Sequence, residues 1–127
     1  MPVVSTILIV DNDVGFAFWL GQGLHQAGYT AFPAESAPRA KAILDELKIA
    51  VDLLIVDSAL PGAAGLVESL RYLNPNLKVI VLIDNDTGQD QIPDADAFCL
   101  KPFGTDKASR QNLIAQIEKI IPPSRIH

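Results

Sequence analysis

Short runs of consecutive apolar residues recur along the chain, and their length is that of buried β-strands. Three such runs are unbroken, at residues 7–10, 53–56 and 79–83. A strand is apolar throughout when both faces of its sheet are covered, as in parallel sheets flanked by helices. Two weaker runs, at 29–34 and 97–100, complete a prediction of five strands.

Between these strands, apolar residues mostly recur at helical spacing. The first helix has four on one face, at Phe16, Leu20, Leu24 and Ala27. We expect it to end at Gly28, and a second helix to run from the N-cap Ser36 to about residue 48. A third is predicted over roughly 64–73 and a last one over about 105–121, where two prolines follow.

The segment 84–96 breaks the alternation of strands and helices. It contains Gly88, Pro93 and five aspartates, which leave little apolar periodicity for a helix. We therefore predict a loop with at most one or two helical turns, so that the fourth helix is shortened or lost.

This order of elements predicts an α/β fold of the flavodoxin-like (βα)5 type. Its doubly wound parallel sheet has the strand order 2-1-3-4-5 with right-handed crossovers. Ligands of such sheets bind at the carboxyl ends of the strands beside the switch point, here between strands 1 and 3. We expect one domain over residues 1–121, with 122–127 as a tail or the start of a linker.

Composition and charge narrow the class of protein. Of 127 residues, 49% are hydrophobic, which excludes a disordered chain, and no apolar run approaches the ~20 residues that span a bilayer. A single cysteine, Cys99, excludes an internal disulfide framework. The net charge of −5 argues against direct binding of nucleic acid. With no signal-peptide pattern at residues 1–5, we expect a cytoplasmic protein without membrane association.

Polar residues cluster at three of the predicted strand ends. Strand 1 ends in Asp11-Asn12-Asp13, strand 3 in Asp57, and strand 5 in Lys101. If strands 1 and 3 are neighbours, Asp11 and Asp57 face each other, and their repulsion favours either a shared proton or a hard cation such as Mg²⁺. A lysine in the same pocket could bind an anion, and an aspartate beside it is a plausible nucleophile toward a phosphoryl group.

Three sequence blocks carry a resemblance to a known family. Residues 7–13 (ILIVDND), 57–62 (DSALPG) and 98–103 (FCLKPF) resemble, in order and spacing, the blocks of bacterial response-regulator receiver domains, the receiving modules of two-component phosphorelay signalling. The likeness covers essentially the whole chain, and it is the three blocks together that are specific.

The resemblance implies a role for each matching residue. Asp57 matches the aspartate that a partner histidine kinase phosphorylates, and Asp11 matches the first acid of the pair that holds Mg²⁺. Lys101 matches the lysine that pairs with the phosphoryl group, and its bond to Pro102 would be cis. Phe98 matches the aromatic residue that rotates inward on activation.

Two positions depart from the family pattern. Asn12 stands where the family has a second acidic metal ligand, so Mg²⁺ should bind weakly, with Asn12 as a weak candidate ligand. Ile83 stands where strand 4 normally ends in a Thr or Ser that bonds the phosphoryl oxygen, and Thr87 lies four residues too late to replace it. The acceptor is therefore retained while the usual hydroxyl switch is impaired.

These observations leave two main hypotheses. The first is an atypical receiver that is phosphorylated on Asp57 and signals by an unusual switch. The second is a phosphorylation-independent pseudo-receiver that acts as a protein-interaction module. Neither is an enzyme with turnover; a phosphatase of the haloacid-dehalogenase type, which 11–13 also resembles, is disfavoured by Ile83 and by the residues after Lys101.

The surface of the first helix also leaves alternatives open. Phe18 is expected on or near its outer face, either packed under a neighbouring loop or as an apolar contact surface for another protein. The partner is a histidine kinase or another signalling protein, and a homodimer remains an alternative.

Overall fold

The computed structural model describes residues 5–84, 92, 94–102, 104 and 106–123. They form strands and helices in the order β1 (Thr6–Val10), α1 (Val14–Gln26), β2 (Thr30–Ala34), α2 (Ala37–Leu47), β3 (Leu53–Asp57), α3 (Ala63–Leu73), β4 (Lys78–Ile83), β5 (Ala97–Leu100) and α4 (Lys107–Ile120).

The five strands form one parallel sheet in the order β2-β1-β3-β4-β5. The predicted flavodoxin-like topology is thus confirmed. The register pairs Val10 of β1 with Val56 of β3, which brings the residues that follow these strands to the same edge of the sheet. The switch point of the doubly wound sheet lies between these two strands.

Helices cover the sheet on both faces, which explains the unbroken apolar runs. On one face, α1 and α4 pack on alternate strand residues such as Ile9, Ile55 and Ile80. On the other face, α2 and α3 pack on the intervening residues, such as Val56 and Val81. Because β1, β3 and β4 are covered on both sides, neither face of these strands is open to polar residues. Their sequences therefore lack the alternation of apolar and polar positions seen in half-exposed strands.

Helix ends follow the capping residues of the sequence. The side chain of Ser36 accepts a hydrogen bond from the backbone N–H of Arg39 at the start of α2, as predicted. Gly28, with φ of 102°, follows α1 in a conformation that a side chain would disfavour.

The last helix begins at Lys107, because the Asp106 carboxylate caps the N–H of Ser109. Thr105, the predicted start of this helix, lies outside the described residues.

The connection between β4 and β5 is described only in part. Residues 85–91 and 93, on which most of the predicted loop falls, lie outside the described residues. Ile92 is buried in the α2–α3 face of the core, and Asp96 accepts a hydrogen bond of 2.7 Å from the N–H of Val79. The described residues contain four helices, which fits a shortened fourth helix.

None of the helices in the described ranges is long and apolar enough to cross a membrane.

Tyr29 ties the end of the last helix to the start of β2. Its side chain is 2% exposed, and its hydroxyl donates a hydrogen bond to the carbonyl oxygen of Ile121. Burial, together with the nearby negative charge of Glu118, raises the pKa of Tyr29 to about 12. The phenol therefore stays neutral in the folded state well after an exposed tyrosine has ionised.

This shift predicts a loss of stability in alkali. The unfolded chain releases the Tyr29 proton near pH 10 and the folded chain near pH 12, so the stabilisation is complete below pH 10 and is lost as pH rises through that window. We expect the free energy of unfolding to fall by about 2 kcal/mol across it. In urea unfolding, Tyr29→Phe should not show this fall in the free energy of unfolding between pH 10 and pH 12. The control Tyr72→Phe, at a position that is 88% exposed, should still show it. Equal pH profiles for the two variants would contradict the assignment.

Candidate functional site

Three charged side chains meet at the carboxyl edge of the sheet. Asp11 follows β1, Asp57 ends β3, and Lys101 follows β5. The Nζ atom of Lys101 lies 2.8 Å from Oδ2 of Asp11 and 3.3 Å from Oδ2 of Asp57. Sequence analysis placed these residues in one pocket, and the structure brings them together there.

Local backbone turns hold each carboxylate in place. Oδ1 of Asp11 accepts a hydrogen bond of 2.8 Å from the N–H of Asp13, and Oδ1 of Asp57 accepts one of 2.8 Å from the N–H of Ala59. Both are the self-closing turns that aspartates make with the backbone two residues on. Each carboxylate therefore has one oxygen committed to its own loop and the other directed at Lys101.

Lys101 is positioned by the sheet itself. Its backbone N–H donates a 2.8 Å hydrogen bond to the carbonyl oxygen of Ile83, which extends the β4–β5 pairing by one residue. Its side chain is 15% exposed, and it spans the end of β4 to reach the two aspartates. A long flexible stem is needed here because β5 and β1 are separated by two other strands.

Burial and charge oppose each other in this triad. Asp11 is fully buried, and this burial raises its pKa, although the hydrogen bond and charge of Lys101 act to lower it. Burial alone would lower the pKa of Lys101, but contact with Asp11 and Asp57 outweighs it and raises that pKa. With both aspartates ionised, the three groups carry a net charge of −1.

The Oδ2 atom of Asp11 is incompletely satisfied. The ammonium of Lys101 lies 2.8 Å from it, and this buried oxygen has no further partner among the described residues. Two neighbouring carboxylates suit a hard cation, since Mg²⁺ is commonly held by one or two carboxylates and several waters. No cluster of three or more Asp, Glu, His or Cys is found in the described ranges, so any cation would rest on few charges.

The residues after Asp11 provide little further charge for a cation. Asn12 is exposed on the β1–α1 loop. Asp13 is engaged elsewhere, because its Oδ1 accepts the N–H of Phe16 at 3.1 Å and so caps α1. The Asp13 carboxylate is thus committed to the start of the helix.

The two predicted switch positions lie on the α2–α3 face of the sheet. Ile83 is 4% exposed and belongs to the hydrophobic core. Phe98 is half-buried and packs against that same core, beside the β4 residue Val81 with which it is paired. Thr87 lies outside the described residues.

One expectation from the resemblance is wrong. The bond between Lys101 and Pro102 is trans, as are the other peptide bonds of the described chain. Trans is the lower-energy form even before proline. In this form Lys101 still reaches both aspartates, so the site does not require the cis bond. Phe103, in the same sequence block, lies outside the described residues.

A further contact was missed in the sequence. Phe16 was assigned only to the core face of α1, yet its ring centroid lies 4.7 Å from Nζ of Lys101. The sequence does show an aromatic residue in the first turn of the helix that follows Asp11. Only the folded structure shows that the Lys101 ammonium lies over this ring. Phe18, by contrast, is 58% exposed, as expected of the outer face.

A scan against family models matches residues 7–112 to the response regulator receiver domain. Among curated proteins, the chain is similar to the phosphate regulon transcriptional regulatory protein PhoB of Pseudomonas aeruginosa. The two are 28% identical over 127 residues, which cover 94% of this chain and 52% of PhoB. The chain spans about half the length, or less, of the first curated relatives it matches.

Solved structures share the fold. A CheY-like receiver domain protein from Methanospirillum hungatei has a TM-score of 0.74 and 24% identity, with 93% of this chain and 94% of that chain covered. The response regulator TrrA from Thermotoga maritima, solved in complex with Mg²⁺-BeF, has a TM-score of 0.67 and 23% identity. The match covers 93% of this chain and all of that chain (100%).

The charge balance of the triad predicts a large effect of removing Lys101. In Lys101→Met the Asp11 carboxylate stays buried without its cation, and we expect the free energy of unfolding to fall by about 3 kcal/mol at pH 7. Urea unfolding measures this loss. Lys41→Met, at an exposed position of α2, is the matched control and should change stability by less than about 0.5 kcal/mol. Similar values for the two variants would mean that Lys101 does not neutralise a buried charge.

Proposed function

This chain belongs to the response regulator receiver domain family, and we propose that it is an atypical receiver whose Asp57 accepts a phosphoryl group. The observation that carries the proposal is the position of the Lys101 ammonium, 3.3 Å from Oδ2 of Asp57 and at the carboxyl edge of the sheet. Asp57 is 8% exposed, so a donor can approach it, whereas Asp11 behind it is fully buried. This difference favours Asp57 over Asp11 as the acceptor.

The proposed transfer uses groups that are already in place. Oδ2 of Asp57 attacks the phosphorus atom, a new O–P bond forms, and the bond from phosphorus to the donor atom breaks, with the electron pair leaving on the donor. Oδ1 of Asp57 stays bonded to the N–H of Ala59, which keeps the carboxylate from rotating. Lys101 neutralises charge on the phosphoryl oxygens while it remains in reach of Asp11.

A magnesium ion fits this site, although weakly. Asp11 and Asp57 would hold it, with the Asn12 amide as a third and uncharged ligand. When bound, Mg²⁺ would supply positive charge for the oxygens of the incoming phosphoryl group. TrrA, a structural neighbour, was solved with Mg²⁺-BeF, and the low charge count supports a weaker site in this chain.

The response to phosphorylation would also be unusual. Ile83 has no hydroxyl to bond a phosphoryl oxygen, and its side chain is committed to the core. Movement of this residue toward Asp57 would expose apolar surface and gain no hydrogen bond. Phe98 would then lack the displacement that lets an aromatic ring turn inward, and it would stay fixed.

A second candidate function rests on the same two features. With Ile83 in the core and Lys101 already neutralising the acids, the domain could act as a pseudo-receiver that binds a partner protein without phosphorylation. In that case partner binding would be indifferent to Mg²⁺ and to Asp57→Asn. In both cases we propose a cytoplasmic signalling domain without catalytic turnover, with a histidine kinase or another signalling protein as partner.

Phosphorylation can be tested with a small phosphodonor. Incubation with acetyl phosphate and Mg²⁺ should add one phosphoryl group, detected by intact-protein mass spectrometry, and Asp57→Asn should abolish the addition. Asp45→Asn, which removes an exposed acid on α2, should be labelled like the wild type. An unlabelled wild-type protein, or labelling that survives Asp57→Asn, would contradict the phosphoacceptor role and favour the pseudo-receiver.

The weakened metal site gives a separate prediction. Because Asn12→Asp adds one ligand charge, Mg²⁺ affinity should rise about tenfold, measured by titration of backbone amide shifts. Asn76→Asp adds the same charge on an exposed turn before β4, at the amino ends of the strands and away from the site. It should leave the Mg²⁺ affinity unchanged. If both variants behave like the wild type, position 12 does not contact the ion.

A further inference from the structure

The contacts around Lys101 close into a ring of four residues. Asp11 accepts the N–H of Asp13, and the side chain of Asp13 accepts the N–H of Phe16. Nζ of Lys101 lies over the Phe16 ring, 4.7 Å from the ring centroid. The same Nζ lies 2.8 Å from Oδ2 of Asp11, which closes the ring of contacts. Each member of this circuit fixes the next one, and Phe16 is its only uncharged side chain.

From this geometry we propose that Phe16 is a positioning residue for Lys101. An ammonium over an aromatic face is attracted by the negative electrostatic potential of the ring, and this attraction is stronger where water is excluded. Phe16 is 5% exposed and the Lys101 side chain 15%, so the contact is largely shielded from water. The ring thus holds the third side of an ammonium whose other sides face Asp11 and Asp57.

The space beside Lys101 shows why such a support is needed. A cleft of about 370 Å³ opens between α1 and the loop after β5, lined by Asp13, Phe16, Trp19, Lys101 and Pro102, among others. A lysine stem is flexible, and the exposed Asp13, which also lines the cleft, offers a carboxylate that would attract the ammonium away from Asp11 and Asp57. The cation–π contact opposes that movement.

The Phe16 ring is itself supported from behind. Its centroid lies 5.8 Å from that of Trp19 at an interplanar angle of 44°, within the range of favourable aromatic pairs. Trp19 in turn lies under the guanidinium of Arg110, at 5.9 Å, and its carbonyl oxygen accepts a hydrogen bond from Nη1 of Arg110. The aromatic pair is therefore clamped between Lys101 of the site and Arg110 of α4.

The role of Phe16 in phosphoryl transfer rests on the proposed function, but its hold on Lys101 does not. Two measurements separate them. The side-chain methylene resonances of Lys101, observed by NMR in the protein without ligands, report its place over the ring. The rate of labelling by acetyl phosphate at saturating Mg²⁺ reports transfer.

Three variants carry the test. Phe16→Leu removes the aromatic face and keeps an apolar side chain, whereas Phe16→Tyr keeps the aromatic face and adds a hydroxyl. Phe32→Leu removes a half-buried ring on the opposite face of the sheet and is the matched control. If Phe16→Leu does not fold, Phe16→Met replaces it, since its unbranched side chain fills a similar volume.

We expect Phe16→Leu to shift the Lys101 methylene resonances downfield, away from the ring current, and to lower the maximal labelling rate about fivefold. The half-saturating donor concentration should change little. Phe16→Tyr should keep the Lys101 resonances and the maximal labelling rate close to those of the wild type. Phe32→Leu should change neither the resonances nor the rate.

Unchanged Lys101 resonances in Phe16→Leu would overturn the proposal. Equal impairment in the leucine and tyrosine variants would also overturn it, because packing rather than the ring face would then be responsible. If the wild-type protein is not labelled at all, the proposed function fails, and the Lys101 resonances alone decide whether Phe16 positions the lysine.

Discussion

The ion pairs of Lys101 with Asp11 and Asp57 are the constraint on which the rest of this site depends. Parallel pairing of β1 with β3 forces the two carboxylates to the same edge, and burial of Asp11 removes the water that would screen them. An ammonium at 2.8 and 3.3 Å makes that arrangement stable. Lys101 makes these contacts from the end of β5, the edge strand, by extending back over β4.

The fold was predictable because a covered parallel sheet leaves a strong mark on the sequence. Strands β1, β3 and β4 are apolar at every position that the two helical layers cover, and a polar residue there would be buried without a partner. The charges at Asp11, Asp57 and Lys101 mark where the covered region ends. Since parallel strands all end at one edge, their meeting could be inferred before any distance was known.

Other features depend on distances that a sequence does not contain. Whether the Lys101–Pro102 bond is cis or trans depends on a small energy difference that local packing can reverse. The contact of Phe16 with Lys101 joins residues 85 positions apart, on elements that are not neighbours in the chain. Periodicity correctly placed Phe16 on the buried face of α1, but it could not show that the buried face also touches the ammonium.

Asn12 and Ile83 lie in different parts of the site, and under the proposed function each would limit how the site responds. Under the proposed function, Asn12 would add no charge to a metal site, and Lys101 would be the main source of positive charge near Asp57. Ile83 removes the hydroxyl that could follow a phosphoryl group from β4. If Asp57 is phosphorylated, Lys101 must divide its contacts between the new oxygens and Asp11. The groups that sense this change are then Asp11 and Phe16, which lie on the β1–α1 segment. A response of this chain would therefore start at α1 rather than at the end of β4.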